Sequence, residues 1–152
     1  MTLQGIGLTK YFPVAGGLTA GRARGLIKAL DGVSVQVSEG ETLGIVGESG
    51  SGKTTLAKLF LLLERPTSGS LIFDGKEVQT FGRDDLLRYR RSVQAVFQDP
   101  YSSLDPRMRV EHIVAEPLPP ENGVSRAETR ERVANVLELV GLRRESTSLY
   151  PH

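Results

Sequence analysis

The spacing of apolar residues along the chain predicts a mixture of strands and helices. Val33, Val35 and Val37 alternate with polar residues, as one face of a half-buried strand does. Short runs rich in β-forming residues predict three more strands, at Thr42–Val46, Ser70–Phe73 and Val93–Phe97. Asp74-Gly75, directly after the second of these runs, is a strong signal for a tight turn.

A helix is predicted after a glycine-rich stretch, because the apolar residues there recur at positions i, i+3, i+4 and i+7. These residues are Leu56, Leu59, Phe60 and Leu63. Pro66 and Gly69 are expected to end this helix. Two shorter helices are predicted at Asp84–Arg91 and Val110–Ala115.

The last predicted helix carries signals for both its start and its end. Ser125 and Glu128 have the S-x-x-E spacing of a capping box. Gly141 can supply the residue that closes a helix. The apolar stripe between these signals consists of Val133, Val136, Leu137 and Val140.

Residues 13–28 combine four glycines with Arg22, Arg24 and Lys28. Two interpretations of this segment are open. It is a solvated hairpin loop between two early strands, or it is a basic loop that approaches phosphates or a partner subunit.

Composition narrows the class of protein. The chain has 152 residues, a net charge of +1 and no cysteine. The length is enough for one domain with its own core, and the balanced charge argues against a broad nucleic-acid-binding surface. The absence of cysteine excludes disulfides and thiolate metal sites. The longest apolar run, Leu59–Leu63, is far shorter than the roughly 18 residues that span a bilayer, so we expect a soluble chain.

The glycine-rich stretch lies between a predicted strand and a predicted helix and matches the phosphate-loop pattern G-x-x-x-x-G-K-[ST]. The matching residues are Gly47, Glu48, Ser49, Gly50, Ser51, Gly52, Lys53 and Thr54. Glycines let successive backbone N–H groups point into one concavity, and the helix N-terminus adds unpaired N–H groups. Lys53 supplies a charge for the β- and γ-phosphates, the Thr54 hydroxyl is placed to ligate Mg²⁺, and Thr55 is expected to reach the α-phosphate side. The sequence therefore predicts a site for a nucleoside triphosphate.

Three stretches resemble the ATP-binding subunits of ABC transporters: LGIVGESGSGKTT, RPTSGSLIFDGKEV and VFQDPYSSLDPRM. The opening LTKYFPV and the closing LYPH are similar to the oligopeptide/dipeptide uptake group, which includes nickel and glutathione importers. The resemblance covers nearly the whole chain. It implies an α/β fold that is the phosphate-loop core of an ABC ATPase in truncated form. This core would contain an N-terminal antiparallel β region, the phosphate loop with its helix, and part of the helical subdomain.

The resemblance also implies roles for residues outside the loop. Phe12 corresponds to the aromatic residue that stacks on adenine, although core packing of Phe12, or stacking by Tyr11, are open alternatives. Gln98 corresponds to the glutamine that contacts Mg²⁺ and the attacking water, and it follows the predicted strand Val93–Phe97 at a sheet edge where ligands bind. Asp99–Pro117 lies where such ATPases touch their membrane subunits; a self-packed loop is the alternative.

The cofactors implied by the resemblance are ATP and Mg²⁺. The implied partners are transmembrane permease subunits, a second ATPase subunit, identical or different, and indirectly a solute-binding protein, with no nucleic acid. The parent protein would be cytoplasmic, peripheral on the inner face of the cell membrane, and would couple ATP hydrolysis to uptake of peptides or related small solutes. Residues 1–98 are expected to form the nucleotide-binding β/α part and residues 99–152 the start of the helical subdomain.

The parts that complete such an ATPase are not found in this sequence. In the family, LYPH is followed by a serine-glycine-glycine signature, a second carboxylate-bearing strand, a catalytic glutamate and a switch histidine. His112 and His152 are expected to be structural or solvated. We therefore expect the N-terminal portion of an ABC ATPase, which binds ATP poorly, does not hydrolyse it and exposes apolar surface prone to association. An inactive nucleotide-binding module and a non-transport ABC protein of DNA repair or translation are alternatives; a GTPase is disfavoured because the chain has no N-K-x-D motif.

Overall fold

The computed structural model describes residues 1–14, 25–99, 101–118 and 125–151. The chain divides into two compact units, Met1–Ala95 and Val96–His152. Within the described residues, no helix combines the length and the apolar character needed to cross a membrane.

An antiparallel sheet with the strand order β2-β1-β3-β4 forms the base of the first unit. The strands are β1 (Leu3–Pro13), β2 (Leu26–Val37), β3 (Ser68–Phe73) and β4 (Lys76–Glu77). β1 is central, so that Gly5 faces Val35 on one side and Leu71 on the other. The predicted alternation in β2 is confirmed, since its three spaced valines are half-buried and the polar residues between them are exposed.

β1 and β2 form a hairpin. The pairing continues past the strand ends, because the N–H of Val14 donates to the carbonyl of Gly25 over 3.0 Å. Residues 15–24, with Arg22 and Arg24, lie outside the described residues, so the two interpretations of the basic loop both stay open.

The tight turn predicted at Asp74 and Gly75 is confirmed. The two residues have φ angles of 48° and 78°, both in the left-handed region. This is the backbone of a two-residue type I′ hairpin turn, which suits the right-handed twist of the flanking strands. Phe73 in β3 consequently pairs with Lys76 in β4.

Helix α1 (Lys53–Phe60) begins directly after the glycine-rich stretch, as predicted, but ends earlier than its apolar pattern indicates. The N–H groups of Leu63 and Glu64 both donate to the carbonyl of Lys58, and Leu62 has a φ of 56°. These contacts close the helix, and Leu63 is left 63% exposed. The remainder of the predicted face holds, since Leu56 and Leu59 are buried.

Helix α2 (Arg83–Ser92) confirms the prediction for this region and packs on the core through Tyr89. The ring of Tyr89 is 1% exposed, and it meets Phe73 edge-on with centroids 5.0 Å apart. Its hydroxyl donates to the carbonyl of Phe60 at the end of α1 over 2.5 Å. A short 3₁₀ helix, Val78–Thr80, precedes α2. The other buried core residues are Leu8, Leu30, Leu56, Leu59, Leu71, Phe73 and Val78.

Two of the predicted strands are wrong for this structure. Residues 42–46 and 93–97 are described, but they belong to neither a strand nor a helix. Val46 is 94% exposed and Val96 is 96% exposed, so neither side chain packs in the core. A strand requires a neighbour that accepts and donates backbone hydrogen bonds, and the sheet formed by the described residues provides none for either segment.

The second unit contains α3 (Val110–Ala115) and α4 (Arg126–Leu139), with 3₁₀ helices at Tyr101–Ser103 and Arg144–Ser148. Both predicted end signals of α4 are confirmed. The Oγ of Ser125 accepts from the N–H of Glu128 over 3.1 Å. At the other end Gly141 has a φ of 79°, and its N–H donates to the carbonyl of Glu138 while the next N–H donates to that of Leu137. This pair of bonds is the Schellman motif.

The apolar stripe predicted on α4 is confirmed in part. Val133 and Leu137 are buried. Val136 and Val140 are 49% and 69% exposed, and Val140 is the residue after the helix rather than part of it. The described residues of this unit therefore bury a narrower face of α4 than the sequence pattern indicates.

The residues after α4 fold back onto the helices. Arg144 bridges the carboxylates of Glu131 and Glu138 at 2.5 and 3.1 Å. The N–H of Val110, at the start of α3, donates to the carbonyl of Leu149 over 2.9 Å. His112 is exposed on α3, as expected, whereas His152 lies outside the described residues.

Candidate phosphate-binding site

The glycine-rich loop adopts a backbone that requires glycine at two positions. Gly50 and Gly52 have φ angles of 83° and 94°, in the left-handed region. Gly52 is also the N-cap of α1 and packs closely on β2. A Cβ atom at Gly52 would lie 2.4 Å from the carbonyl oxygen of Ala29. The loop is therefore seated against the strand where only a glycine fits.

The loop presents backbone N–H groups that have no acceptor. Ser51 donates to the carbonyl of Glu48 over 3.2 Å, but the N–H groups of Gly50 and Gly52 make no hydrogen bond with any described residue. The first amides of α1 have no acceptor within the helix either, as at any helix N-terminus. Consecutive free donors with a positive helix end favour an anion at this position.

Lys53 folds its side chain back over the loop. Its Nζ donates to the carbonyls of Gly47 and Glu48 over 2.7 and 2.8 Å, and it lies 3.4 Å from the Oγ of Ser51. The ammonium group is thus held beside the free amides by contacts within the loop. One full positive charge therefore lies at the loop that carries the free N–H groups.

The two threonines after Lys53 differ in accessibility. Thr54 is exposed and its hydroxyl has no hydrogen-bond partner among the described residues, whereas Thr55 is half-buried. The described ranges contain no cluster of three or more histidine or acidic side chains able to hold a metal ion. A Mg²⁺ ion at nucleotide sites keeps waters and phosphate oxygens and needs few protein ligands, so the free Thr54 hydroxyl fits that role without a carboxylate cluster.

Phe12 lies near the same loop through β2. Its cross-strand partner is Ile27, which is two residues from Ala29, where the loop meets the strand. Two residues along a strand correspond to roughly 7 Å. Phe12 is half-buried, and the ammonium of Lys10 lies 4.9 Å from its ring centroid.

Tyr11 belongs to a different cluster. Its hydroxyl donates to the carboxylate of Asp31, and the Nζ of Lys28 binds the other oxygen of that carboxylate over 3.2 Å. The Tyr11 hydrogen bond, followed by the Lys28 contact, holds the pKa of Asp31 below its ordinary value. Neighbouring side chains on a strand alternate between its faces, so Tyr11 and Phe12 do not share a face.

Sequence reasoning did not find the Asp31 cluster. Tyr11 pairs with Lys28 across the hairpin, and this register depends on bulges in β1 that no local pattern shows. The sequence groups Lys28 with a basic loop, whereas in the structure Lys28 lies on β2 and neutralises Asp31.

Gln98 belongs to the second unit. It is exposed and lies in a bend rather than at the end of a strand. Its predicted position after a strand is therefore wrong, because the segment before it is unpaired. The loop residues and Phe12 belong to the first unit, and Gln98 belongs to the second.

Comparison with known proteins extends these observations. Residues 30–151 match the sequence profile of the family described as ABC transporter. The chain is 47% identical over 145 residues to a di/tripeptide transport ATP-binding protein, DppF, of Pseudomonas aeruginosa, covering 95% of this chain and 44% of that protein. It is 45% identical to the dipeptide transport ATP-binding protein DppF of Haemophilus influenzae, covering 99% of this chain and 45% of the relative. It is 47% identical to the oligopeptide transport ATP-binding protein OppD of Mycobacterium tuberculosis, covering 95% of this chain and 23% of that protein.

Solved structures agree on the fold. An ATP-binding cassette, MJ0796, solved as a dimer in a post-hydrolysis state with ADP and Pi, is similar with a TM-score of 0.71 at 27% identity. This match covers 98% of the present chain and 61% of the cassette. The chain spans less than half the length of the curated relatives described above. The expected fold, the phosphate-loop core of an ABC ATPase, is confirmed, and the chain belongs to the ABC transporter family.

Proposed function

We propose that this chain binds ATP at the phosphate loop and forms the nucleotide-binding part of an ATPase subunit that serves uptake of peptides or related small solutes. The observation that carries the proposal is the position of the Lys53 ammonium beside unpaired loop amides. The names of the relatives, which describe peptide transport ATP-binding proteins, support the class of solute.

The loop residues have distinct roles in this proposal. The backbone of Gly47, Glu48, Ser49, Gly50, Ser51 and Gly52 would hold the phosphates. Lys53 would neutralise the β- and γ-phosphates, since charge-assisted contacts are roughly twice as strong as neutral ones. The Thr54 hydroxyl would ligate Mg²⁺, and Thr55 would contact the α-phosphate side. Mg²⁺ would supply charge neutralisation across the β- and γ-phosphates.

Two residues outside the loop complete the proposed site. Phe12 would stack on adenine, and its place about two residues along β2 from the loop supports that role. Gln98 would contact Mg²⁺ and the attacking water, a role that rests on the resemblance of VFQDP to the family.

The proposed partners follow from the family. The nucleotide-binding part would comprise residues 1–98, and residues 99–152 would begin the helical subdomain. Asp99–Pro117 would face transmembrane permease subunits, and a second ATPase subunit would pair with this one at the cytoplasmic face of the membrane. The 77% exposure of Tyr101 leaves an apolar surface for such a contact.

Substitution of Lys53 tests the ATP site. We expect Lys53→Ala to weaken binding of a fluorescent ATP analogue, measured with Mg²⁺, by at least about tenfold, because a charge-assisted contact is lost. Lys58→Ala is the matched control, since Lys58 lies in the last turn of the same helix. Circular dichroism should show both variants folded. Equal affinity of the two variants for the ATP analogue would show that Lys53 does not contribute to ATP binding.

Thr54→Ala tests the metal contact separately. In the absence of Mg²⁺, the variant and the parent should bind the analogue with equal affinity. Addition of Mg²⁺ should raise the affinity of the parent and should raise that of the variant much less. A full Mg²⁺ effect in the variant would mean that Thr54 does not ligate the ion.

A further inference from the structure

A cavity of about 540 Å³ opens in the first unit, between the loop after α1, β3 and α2. The proposed ATP site does not use it. Apolar side chains line its interior; they are Leu62, Pro66, Leu71, Val78, Phe81 and Leu86. Its volume lies within the range of about 300–1,000 Å³ that is usual for small-molecule sites.

Two arginines at the cavity have no charge partner in the part of the chain that the structure describes. Arg65 and Arg90 both line it, and neither guanidinium group has an ion pair or hydrogen bond with any described residue. Glu64 also lines the cavity, but its carboxylate is held by the Nζ of Lys10 at 2.8 Å. That hydrogen bond keeps the pKa of Glu64 below its ordinary value, so Glu64 stays ionised and committed to Lys10. The remaining charge at the cavity is positive.

The side-chain amide of Gln79, at the cavity wall, already has hydrogen-bond partners within the protein. The Nε2 of Gln79 donates to the carbonyl of Gly69 over 3.3 Å, and its Oε1 accepts from the N–H of Leu71 over 3.4 Å. The side-chain amide of Gln79 thus bonds the backbone of β3 at Gly69 and Leu71, where the strand extends beyond the short β4. The charged groups left for a ligand are consequently the two guanidinium groups, which the hydroxyls of Thr67 and Ser68 accompany at the cavity wall.

We propose that this cavity binds a compact carboxylate with an aliphatic body. The apolar lining would take the aliphatic part, and Arg65 and Arg90 would receive the carboxylate, for which a guanidinium fork has matching bidentate geometry. Such a ligand is either a medium-chain fatty acid or the C-terminus of a small aliphatic peptide. The site lies apart from the phosphate loop and does not depend on the proposed ATP binding.

Titration with octanoate tests the proposal without nucleotide. Nuclear magnetic resonance should show saturable shifts of the Gln79 side-chain amide and of the backbone amides of Gly69 and Leu71. Arg65→Gln and Arg90→Gln should each weaken octanoate by about tenfold, the factor expected when a charge-assisted hydrogen bond is lost. Both side chains are exposed and pair with no other described residue, so both variants should remain folded.

Arg91→Gln is the matched control, because Arg91 follows Arg90 on α2 and does not line this cavity. Its octanoate affinity should equal that of the parent, and octylamine, which reverses the ligand charge, should not saturate the same signals. Three results would each overturn the proposal: octanoate does not saturate the signals, octylamine binds as tightly as octanoate, or Arg91→Gln lowers the affinity for octanoate as much as the other two substitutions do.

Leucyl-leucine distinguishes the two sources. Tighter binding of the dipeptide than of octanoate, with the same dependence on Arg65 and Arg90, would assign the site to peptide carboxylates. Tighter binding of octanoate would assign it to fatty acids. Failure of both ligands would refute the site and would leave ATP binding by the loop unaffected.

Discussion

The carbonyl oxygen of Ala29 in β2 lies 2.4 Å from the position that a Cβ atom on Gly52 would occupy. Gly52 also has a φ of 94°, which a residue with a side chain adopts only with strain. The strand backbone and the start of α1 therefore fix each other. Through this contact the sheet determines where the phosphate loop can lie.

Gly52→Ala should disrupt the loop more than Gly50→Ala does. The latter adds only the cost of the left-handed conformation, about 1–2 kcal/mol, because a Cβ atom at Gly50 would meet nothing within 4 Å. Gly52→Ala adds a clash with backbone that cannot move without breaking the hairpin. Urea unfolding should show the larger loss of stability for Gly52→Ala, together with loss of ATP-analogue binding. Equal losses for the two variants would show that the contact with Ala29 does not constrain the loop.

Phe12 and Tyr11 can be separated by substitution. Phe12→Ala should weaken ATP and GTP by similar factors, corresponding to about 1–3 kcal/mol of stacking, because every base has a π-face. Phe12→Trp should be tolerated. Tyr11→Ala should leave nucleotide affinity unchanged, since the Tyr11 hydroxyl is engaged with Asp31. The reverse result, with Tyr11→Ala defective and Phe12→Ala normal, would identify Tyr11 as the stacking residue.

Local signals in the sequence predicted those parts of the fold that depend on neighbouring residues. The capping serine of α4, Ser125, and its closing glycine, Gly141, make hydrogen bonds within a few residues of themselves. The turn at Asp74 and Gly75 likewise depends on its own two backbone conformations. The phosphate-loop pattern belongs to the same class in one respect, because the hydrogen bonds of Lys53 lie within the loop.

Features that depend on distant pairing could not be predicted in this way. The run Thr42–Val46 has the composition of a strand, but composition does not provide a hydrogen-bonding neighbour. The Tyr11 contact with Asp31 depends on the register of a hairpin with bulges. The early end of α1 is local but has no signal in the apolar spacing, since it depends on the Lys58 carbonyl accepting from two later amides. No apolar periodicity contains that information.

The hydroxyl of Tyr89 makes stability depend on alkaline pH. Burial raises the pKa of Tyr89 to about 12, whereas a tyrosine in the unfolded chain titrates near about 10. Below the unfolded value both states keep the proton and the contribution is fully present. As pH rises towards the folded value, only the unfolded state loses its proton, and about 2–3 kcal/mol of stability is lost.

Tyr89→Phe isolates this effect. The variant should lose about 1 kcal/mol at neutral pH, because the hydrogen bond to the Phe60 carbonyl is removed. Urea unfolding of parent and variant at increasing pH should then show a steeper loss for the parent, so that the two stabilities converge or cross. Parallel pH profiles would mean that Tyr89 does not titrate differently in the two states.

The exposed valines of the two unpaired segments should drive self-association. Val46 and Val96 are 94% and 96% exposed, and neighbouring residues of each segment, such as Ile45 and Phe97, are also about half exposed. Contiguous apolar surface next to unpaired backbone favours contacts between chains. Val46→Lys and Val96→Lys should each reduce concentration-dependent association in sedimentation velocity, with stability changed by less than about 0.5 kcal/mol, as at exposed positions generally. Leu139→Lys is the control, because Leu139 is 86% exposed on α4 outside both segments. If Leu139→Lys reduces association as much as either valine variant, the added positive charge rather than the position of the substitution governs association. A large loss of stability in a valine variant would show that the valine side chain is buried in solution.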